Sequence, residues 1–207
     1  MTHNLDHILW ATPDLAEGTK QIAELLGVQP EVGGKHPGFG TRNSLLSLGD
    51  EIYLEIIAPD PEQDLKDNRG EQLAALTKPQ LLTFAVRTFD MKRVEKRVAE
   101  AGLDTQGAIA MSRRHPEGHL LEWQVLRLED HPWGDVMPFF IDWGTTNHPA
   151  QTTPKECELL EFSVSHAEHE ALADVYKALA IEVSVSHSDE AKLEAVLQTP
   201  KGQVTLR

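Results

Sequence analysis

The run Leu5-Asp6-His7-Ile8-Leu9-Trp10-Ala11-Thr12-Pro13-Asp14 is written a second time as Leu81-Leu82-Thr83-Phe84-Ala85-Val86-Arg87-Thr88-Phe89-Asp90, with Thr12 and Asp14 falling on Thr88 and Asp90 at one constant spacing. In the first copy a mostly apolar, period-two run suits a buried strand. Thr12 then reads as a helix N-cap, with Pro13 at the first helical position and Asp14 in the first turn. Leu15, Ile22, Leu25 and Leu26 form one apolar stripe, which stops at Gly27. In the second copy Leu82, Phe84 and Val86 share a strand face, Thr88 caps, and Met91, Val94, Val98 and Ala101 form the stripe before Gly102.

Short extended runs follow each helix. Asn43 to Leu48 and Ile52 to Ala58 belong to the first copy; Ala108 to Ser112, His119 to Leu126 and Met137 to Trp143 belong to the second. Each unit is therefore strand, helix, then two or three strands, an α+β pattern of paired βαβββ modules over residues 3–60 and 80–145. A repeated supersecondary phrase marks a duplicated fold whose halves close around a shared cleft. The pattern begins a third time over residues 156–207: Glu158 to Ser165, a stripe at Leu172, Val175 and Leu179, then Ile181 to Ser186, Leu193 to Leu197 and Val204 to Leu206. Three units cannot close in pairs within one molecule. The C-terminal βαβββ-like unit either packs on the first two or pairs with a second copy, which makes a homodimer the expected assembly.

With 207 residues and 40% hydrophobic content, the chain reads as a soluble globular protein with room for one large domain, 1–150, and an extension. No apolar run approaches the roughly 18 residues of a membrane span, and Met1-Thr2-His3-Asn4 carries no signal-peptide pattern. The single cysteine, Cys157, allows no internal disulfide and suits a reducing cytoplasm. A formal charge of −14 argues against a nucleic-acid partner, because phosphate affinity needs a basic face. A small molecule is the expected ligand.

The stretch Gly33-Gly34-Lys35-His36-Pro37-Gly38-Phe39-Gly40-Thr41-Arg42-Asn43 reads as a loop whose backbone can approach a ligand closely. It lacks the Gly-Lys-Ser/Thr ending of a phosphate loop, and no helix follows. Arg42 suits a carboxylate or phosphate, Asn43 a carbonyl, and His36 lies beside them. The plainer reading is a hairpin connection whose glycines serve turn geometry. Arg113 and Arg114 would add a cationic wall suited to an anionic substrate, Arg114 reading equally as a surface partner for some of the 33 acidic residues. Trp10, Trp123 and Trp143 lie on expected strands as aromatic platforms or core. Glu129 to Asp135 and Thr145 to Pro154, the latter with His148, read as flanks able to cover a pocket.

These segments resemble the glyoxalase-like domain family of the vicinal oxygen chelate superfamily. The resemblance rests on Leu5-Asp6-His7-Ile8, the glycine-rich stretch, Tyr53-Leu54-Glu55-Ile56-Ile57-Ala58-Pro59, Arg113 with Pro116-Glu117-Gly118, and Pro138-Phe139-Phe140-Ile141-Asp142-Trp143-Gly144. It implies paired modules forming a curved, half-open sheet barrel around a divalent metal. The superfamily includes glyoxalase I, extradiol dioxygenases, epimerases, thiol transferases and metal-free drug-binding proteins.

Carried over by position, the resemblance implies His7, Glu55 and Asp142 as metal ligands, with Glu55 or Asp142 also serving as catalytic base. The substrate would meet His36, Arg42, Asn43, Arg113, Trp143 and His148. One imidazole and two carboxylates suit Mn, Mg, Fe, Zn or Ni in divalent form. Thr83 stands at the counterpart of His7 and is a poor ligand, so a water or a loop histidine such as His36 would complete the shell, or the site holds no metal. Extradiol cleavage, which needs two histidines and a carboxylate, is disfavoured. The expected activity is a metal-assisted lyase or isomerase acting through an enolate-like intermediate on a small oxygenated substrate. The alternative is a metal-free binding protein in which His7, Glu55 and Asp142 form a polar network.

Overall fold

The structure, a computed structural model, describes residues 4–114, 118 and 120–207; Met1 to His3, Pro116, Glu117 and His119, all named above, lie outside the described residues. The first half runs β1 (Leu5–Ala11), α1 (Leu15–Leu26), β2 (Glu31–His36), β3 (Thr41–Ser47), β4 (Tyr53–Pro59) and a linking α2 (Arg69–Ala74). The second runs β5 (Gln80–Arg87), α3 (Met91–Glu100), β6 (Asp104–Thr105), β7 (Ile109–Arg114), β8 (Leu120–Leu126), β9 (Leu128–Glu129) and β10 (Phe139–Asp142). The C-terminal unit comprises β11 (Glu158–His166), α4 (His169–Leu179), β12 (Ser184–His187), β13 (Lys192–Thr199) and β14 (Gly202–Leu206).

Both helices start later than the sequence reading places them, and by the same amount. Thr12 still donates its N–H to Ile57 O at 3.0 Å, and Thr88 to Ile141 O at 2.8 Å, so each threonine remains tied to the sheet. The caps are Asp14 and Asp90, whose side chains accept from Glu17 N and Arg93 N. An aspartate in extended backbone is as good an N-cap as threonine, and the sheet bond decides between them.

The two halves form one eight-stranded sheet in the order β2-β3-β4-β1-β5-β10-β8-β7, curved until it nearly closes. β1 and β5 meet antiparallel at the centre, with His7 opposite Ala85 and Leu9 opposite Thr83. Each first strand pairs in parallel with the last strand of its own half, β1 with β4 and β5 with β10. The glycine-rich stretch is not a loop but the strand β2, a tight turn and the start of β3. At the free edges β2 comes up against β7: a Cβ on Gly34 would stand 3.0 Å from Arg114 O, so only glycine permits this approach.

Alternation along the strands gives the sheet two faces. Ile8, Leu54, Phe84 and Phe140 point to the helix-covered face, where they pack with Ile22 of α1 and Val94 and Val98 of α3. Leu9, Leu45, Tyr53, Trp123, Phe139, Ile141 and Trp143 share the other face. The C-terminal unit packs onto the helix-covered face, adding Tyr176, Leu179 and Leu197 to its core. Phe84 lies 4.9 Å from the Phe162 ring, and the Tyr176 hydroxyl donates to Val136 O. The unit keeps the order strand, helix, three strands, yet its sheet runs β12-β11-β13-β14, with the first strand central. Among the described residues, no helix is long and apolar enough to cross a membrane.

Candidate functional site

The concave face of the sheet lines a narrow cavity that opens to solvent. Period-two alternation delivers its walls: His7 and Leu9 from β1, Asn43 and Leu45 from β3, Tyr53 and Glu55 from β4, Trp123 and Val125 from β8, Phe139 and Ile141 from β10.

A β-bulge between Leu5 and His7 breaks that alternation. Bulges re-aim side chains, and here Asp6 reaches His7 Nδ1 at 2.7 Å, where strict alternation would have sent it to the opposite face. Asp6 is fully buried and also accepts from Arg87 Nε at 2.7 Å, His148 Nε2 at 3.1 Å and Trp143 Nε1 at 3.2 Å. Burial alone would push its carboxyl upward; the hydrogen bonds from His148 and His7 outweigh this and hold it well below the usual carboxylate range. An ionised Asp6 assigns the His7 ring proton to Nδ1 and leaves Nε2 facing Glu55 Oε2 at 3.5 Å. The Tyr53 ring stacks on the imidazole at 4.4 Å and fixes its plane.

Glu55 accepts from Asn43 Nδ2 at 2.6 Å through its other oxygen. Asn43 Nδ2 also lies 3.3 Å from His36 Nε2, while His36 Nδ1 meets Thr41 Oγ1 at 2.8 Å. Burial lowers the His36 pKa, so the ring is neutral, accepts from the amide and donates to the threonine. Arg113 crosses the gap between the sheet edges, its guanidinium donating to Gly33 O. It is 4% exposed, and burial pulls its pKa down against the upward pull of Tyr53 and Glu55, yet an arginine keeps its charge.

Thus His7, His36, Asn43, Glu55, Arg113, Trp123 and Trp143 line one cavity. Asp142 does not join them. It follows Ile141 on β10 and so faces away, its carboxylate accepting from Gly144 N in a turn. Arg42 likewise alternates with Thr41 and Asn43, and its side chain faces α1 beside Leu15 and Thr19. His148 stands behind the cavity as a partner of Asp6, and Trp10 packs into the helix-side core. Arg114 is exposed and donates to Gly118 O. Sequence reasoning missed Asp6, which only the bulge brings inward, together with Tyr53, Arg69 and Arg127. The alternation of Tyr53 with Leu54 and Glu55 was a usable signal for the first of these three.

The register identifies the true counterpart of Glu55. Leu9 pairs with Glu55, and Ala85, at the place of Leu9 in the second half, pairs with Phe139. The two acid or imidazole positions of the first half thus correspond to Thr83 and Phe139. Among the described residues, no three His, Cys, Asp or Glu side chains are grouped to hold a metal ion. His7 and Glu55 are two donors, and the second half supplies a hydroxyl and a phenyl ring. The donor set does not fit the three-ligand centre that the resemblance implies.

A duplicated βαβββ sheet folded around a cavity lined by a buried acid, two histidines and a guanidinium is the architecture of the vicinal oxygen chelate scaffold. The glyoxalase-like domain model matches residues 5–180, and the chain belongs to that family. No curated protein matches it. Among solved structures, a hypothetical protein from Staphylococcus aureus aligns with a TM-score of 0.73 at 16% identity, over 93% of this chain and 88% of that one. A variant of Streptomyces coelicolor methylmalonyl-CoA epimerase, in complex with 2-nitronate-propionyl-CoA, aligns at 0.51 and 19% identity, over 72% of this chain and 100% of that one. A mutant of 4-hydroxymandelate synthase from Streptomyces coelicolor aligns at 0.56 and 17% identity, over 99% of this chain and 62% of that one. These likenesses show a shared fold.

Proposed function

We propose that the protein is an isomerase or lyase that moves a proton beside a carbonyl of a small anionic oxygenated substrate, through an enolate-like intermediate, with Glu55 as the base. The observation that carries this reading is the Glu55 carboxylate itself, buried in a cavity, held by Asn43 at 2.6 Å and facing His7 Nε2 at 3.5 Å. A buried carboxylate costs stability unless it is paired and hydrogen-bonded, and Asn43 and His7 meet that need at Glu55. Its partners here leave it aimed at the space a substrate would fill.

In the reaction, Glu55 takes the proton from the carbon next to the carbonyl, and the C–H electron pair moves to form the enolate. The charge that develops on the carbonyl oxygen meets Arg113, whose fixed guanidinium is already in place and needs no reorganisation. His7, anchored on Asp6, can share the proton received by Glu55; returning it to the other face of the same carbon completes an epimerisation, delivering it to a neighbouring carbon an isomerisation, and delivering it to a β-substituent that leaves with its bonding pair an elimination. Tyr53, Trp123 and Trp143 supply apolar walls that exclude water. Likeness to an epimerase supports this class of chemistry. Cys157, a buried free thiol, accords with a reducing cytoplasm, and a homodimer would use a surface other than the core face filled by the C-terminal unit.

The second reading is a metal-free binding protein. Phe139 and Thr83 favour it, because the second half of the sheet has a phenyl ring and a hydroxyl at the positions where the first half has Glu55 and His7. The two separate in one experiment: 2-oxo acids and malonyl-type thioesters are incubated in D2O, and loss of the α-proton NMR signal is followed. Exchange by the wild type that falls about 100-fold or more in Glu55→Gln supports the enzyme. Saturable binding of these compounds without exchange would establish the binding protein instead.

A further inference from the structure

Past Glu55 the cavity continues into a second recess, and three residues, Arg69, Arg127 and Phe139, line both. Arg127 follows directly on β8, and its guanidinium carbon lies over the Phe139 ring, 4.3 Å from the centroid. Stacking satisfies one face of the guanidinium and leaves its N–H groups pointing sideways. Among the described residues they meet no hydrogen-bond or ion-pair partner.

Arg69 is only partly occupied. Its Nη1 donates to Gln72 Oε1 at 2.6 Å, and its Nη2 lies 3.7 Å from Asp135 Oδ1, a carboxylate that is itself exposed. Arg127 is exposed, and the protein around it and the like charge of Arg69 pull its pKa down against the upward pull of Glu55 and Asp135. Two guanidiniums at the junction of two cavities, with Asp135 and Glu55 the acids acting on Arg127, keep N–H groups open to solvent where an anion could bridge them. The floor between them and Glu55 is apolar, formed by Phe139, Ile141 and Val125.

We propose that Arg127 and Arg69 form a subsite for an oxyanion group, a carboxylate or a phosphate, distinct from the reacting centre at Glu55. The substrate is then bipartite: a carbonyl head among Glu55, His7 and Arg113, a short apolar spacer over Phe139, and a distal anionic group gripped at the junction. This rests on reading the cavity as a substrate site. It deepens that reading by adding a second charged end to the substrate and by giving Phe139 the task of orienting Arg127.

Calorimetric titration of the full chain with inorganic phosphate and, separately, with succinate tests the subsite. Wild type is expected to bind at least one probe saturably, and Arg127→Met and Arg69→Met each to weaken it by about tenfold or more. The tighter probe names the group. Arg127→Lys keeps the charge but loses the planar fork, so it should retain phosphate better than succinate, and its melting temperature reports whether the fold is intact. Glu55→Gln, which abolishes the proposed proton exchange, should still bind the probe, so the two readings fail separately. No saturable binding of either probe, or affinity that Arg127→Met and Arg127→Lys leave at the wild-type value, overturns the subsite.

Discussion

Phe139 occupies in the second half of the sheet the place that Glu55 occupies in the first. Glu55 lies across from Leu9 in the β1–β4 ladder, and Phe139 lies across from Ala85 in the equivalent β5–β10 ladder. A near-symmetric scaffold therefore carries asymmetric chemistry. One half presents an acid backed by an imidazole and a buried aspartate. The other presents an aromatic ring that carries a cation.

The buried aspartate is expected to be worth more than its neighbours. Asp6→Asn removes the carboxylate that Arg87 Nε meets and the ionised acceptor that fixes the His7 ring proton. Breaking a buried ion pair on one side should cost about 3 kcal/mol, read as a lower urea midpoint with unchanged slope. A variant as stable as wild type would show that Asp6 holds nothing together.

Gly33→Ala should disturb the site without replacing any cavity-lining side chain. A Cβ there would lie 2.1 Å from Asn43 Oδ1, so the amide must rotate and release Glu55. About 2 kcal/mol of stability is expected to be lost, together with proton exchange. Retained exchange at wild-type rate would separate Asn43 from the function of Glu55.

The C-terminal unit should melt with the rest. Phe84 is fully buried between Phe162 and Tyr176, so Phe84→Ala should lower stability by about 3–5 kcal/mol in a single transition. Ending the chain near Pro154 would expose that face, and aggregation is the expected result in light scattering. Two separate calorimetric transitions in the full chain would contradict a shared core.

Cys157 gives a pH signature. Burial, with a smaller push from Glu156, raises its thiol from the ordinary 9.0 to about 11. The unfolded thiol loses its proton first, so the contribution of this group to stability is present below pH 9 and declines between pH 9 and 11. Urea midpoints across that window should fall more steeply for wild type than for Cys157→Ala. At pH 8 native protein should react slowly with iodoacetamide and unfolded protein quickly.

Much of the fold could be read along the chain because its signals are local. Alternation at Tyr53 to Ala58, stripes at Val94 and Val98, and the repeated Thr and Asp pair are each set within a few residues. The cap position was misplaced because the sheet bonds of Thr12 and Thr88 run to strands far along the chain. β2 was hidden because Gly33 and Gly34 have low strand preference; Gly33 makes room for the Asn43 side chain of β3, and Gly34 for the approach of β7.

Chain order alone sets the duplicated modules, the strand faces, and the presence of His7, His36, Asn43, Glu55 and Arg113 on segments that could meet. Which of them do meet depends on the folded sheet. A strand turns over every second residue, so one step of register moved Asp142 and Arg42 to the far side, while one bulge brought Asp6 in. Register and bulges are set by pairing between distant strands, and no single strand carries that information.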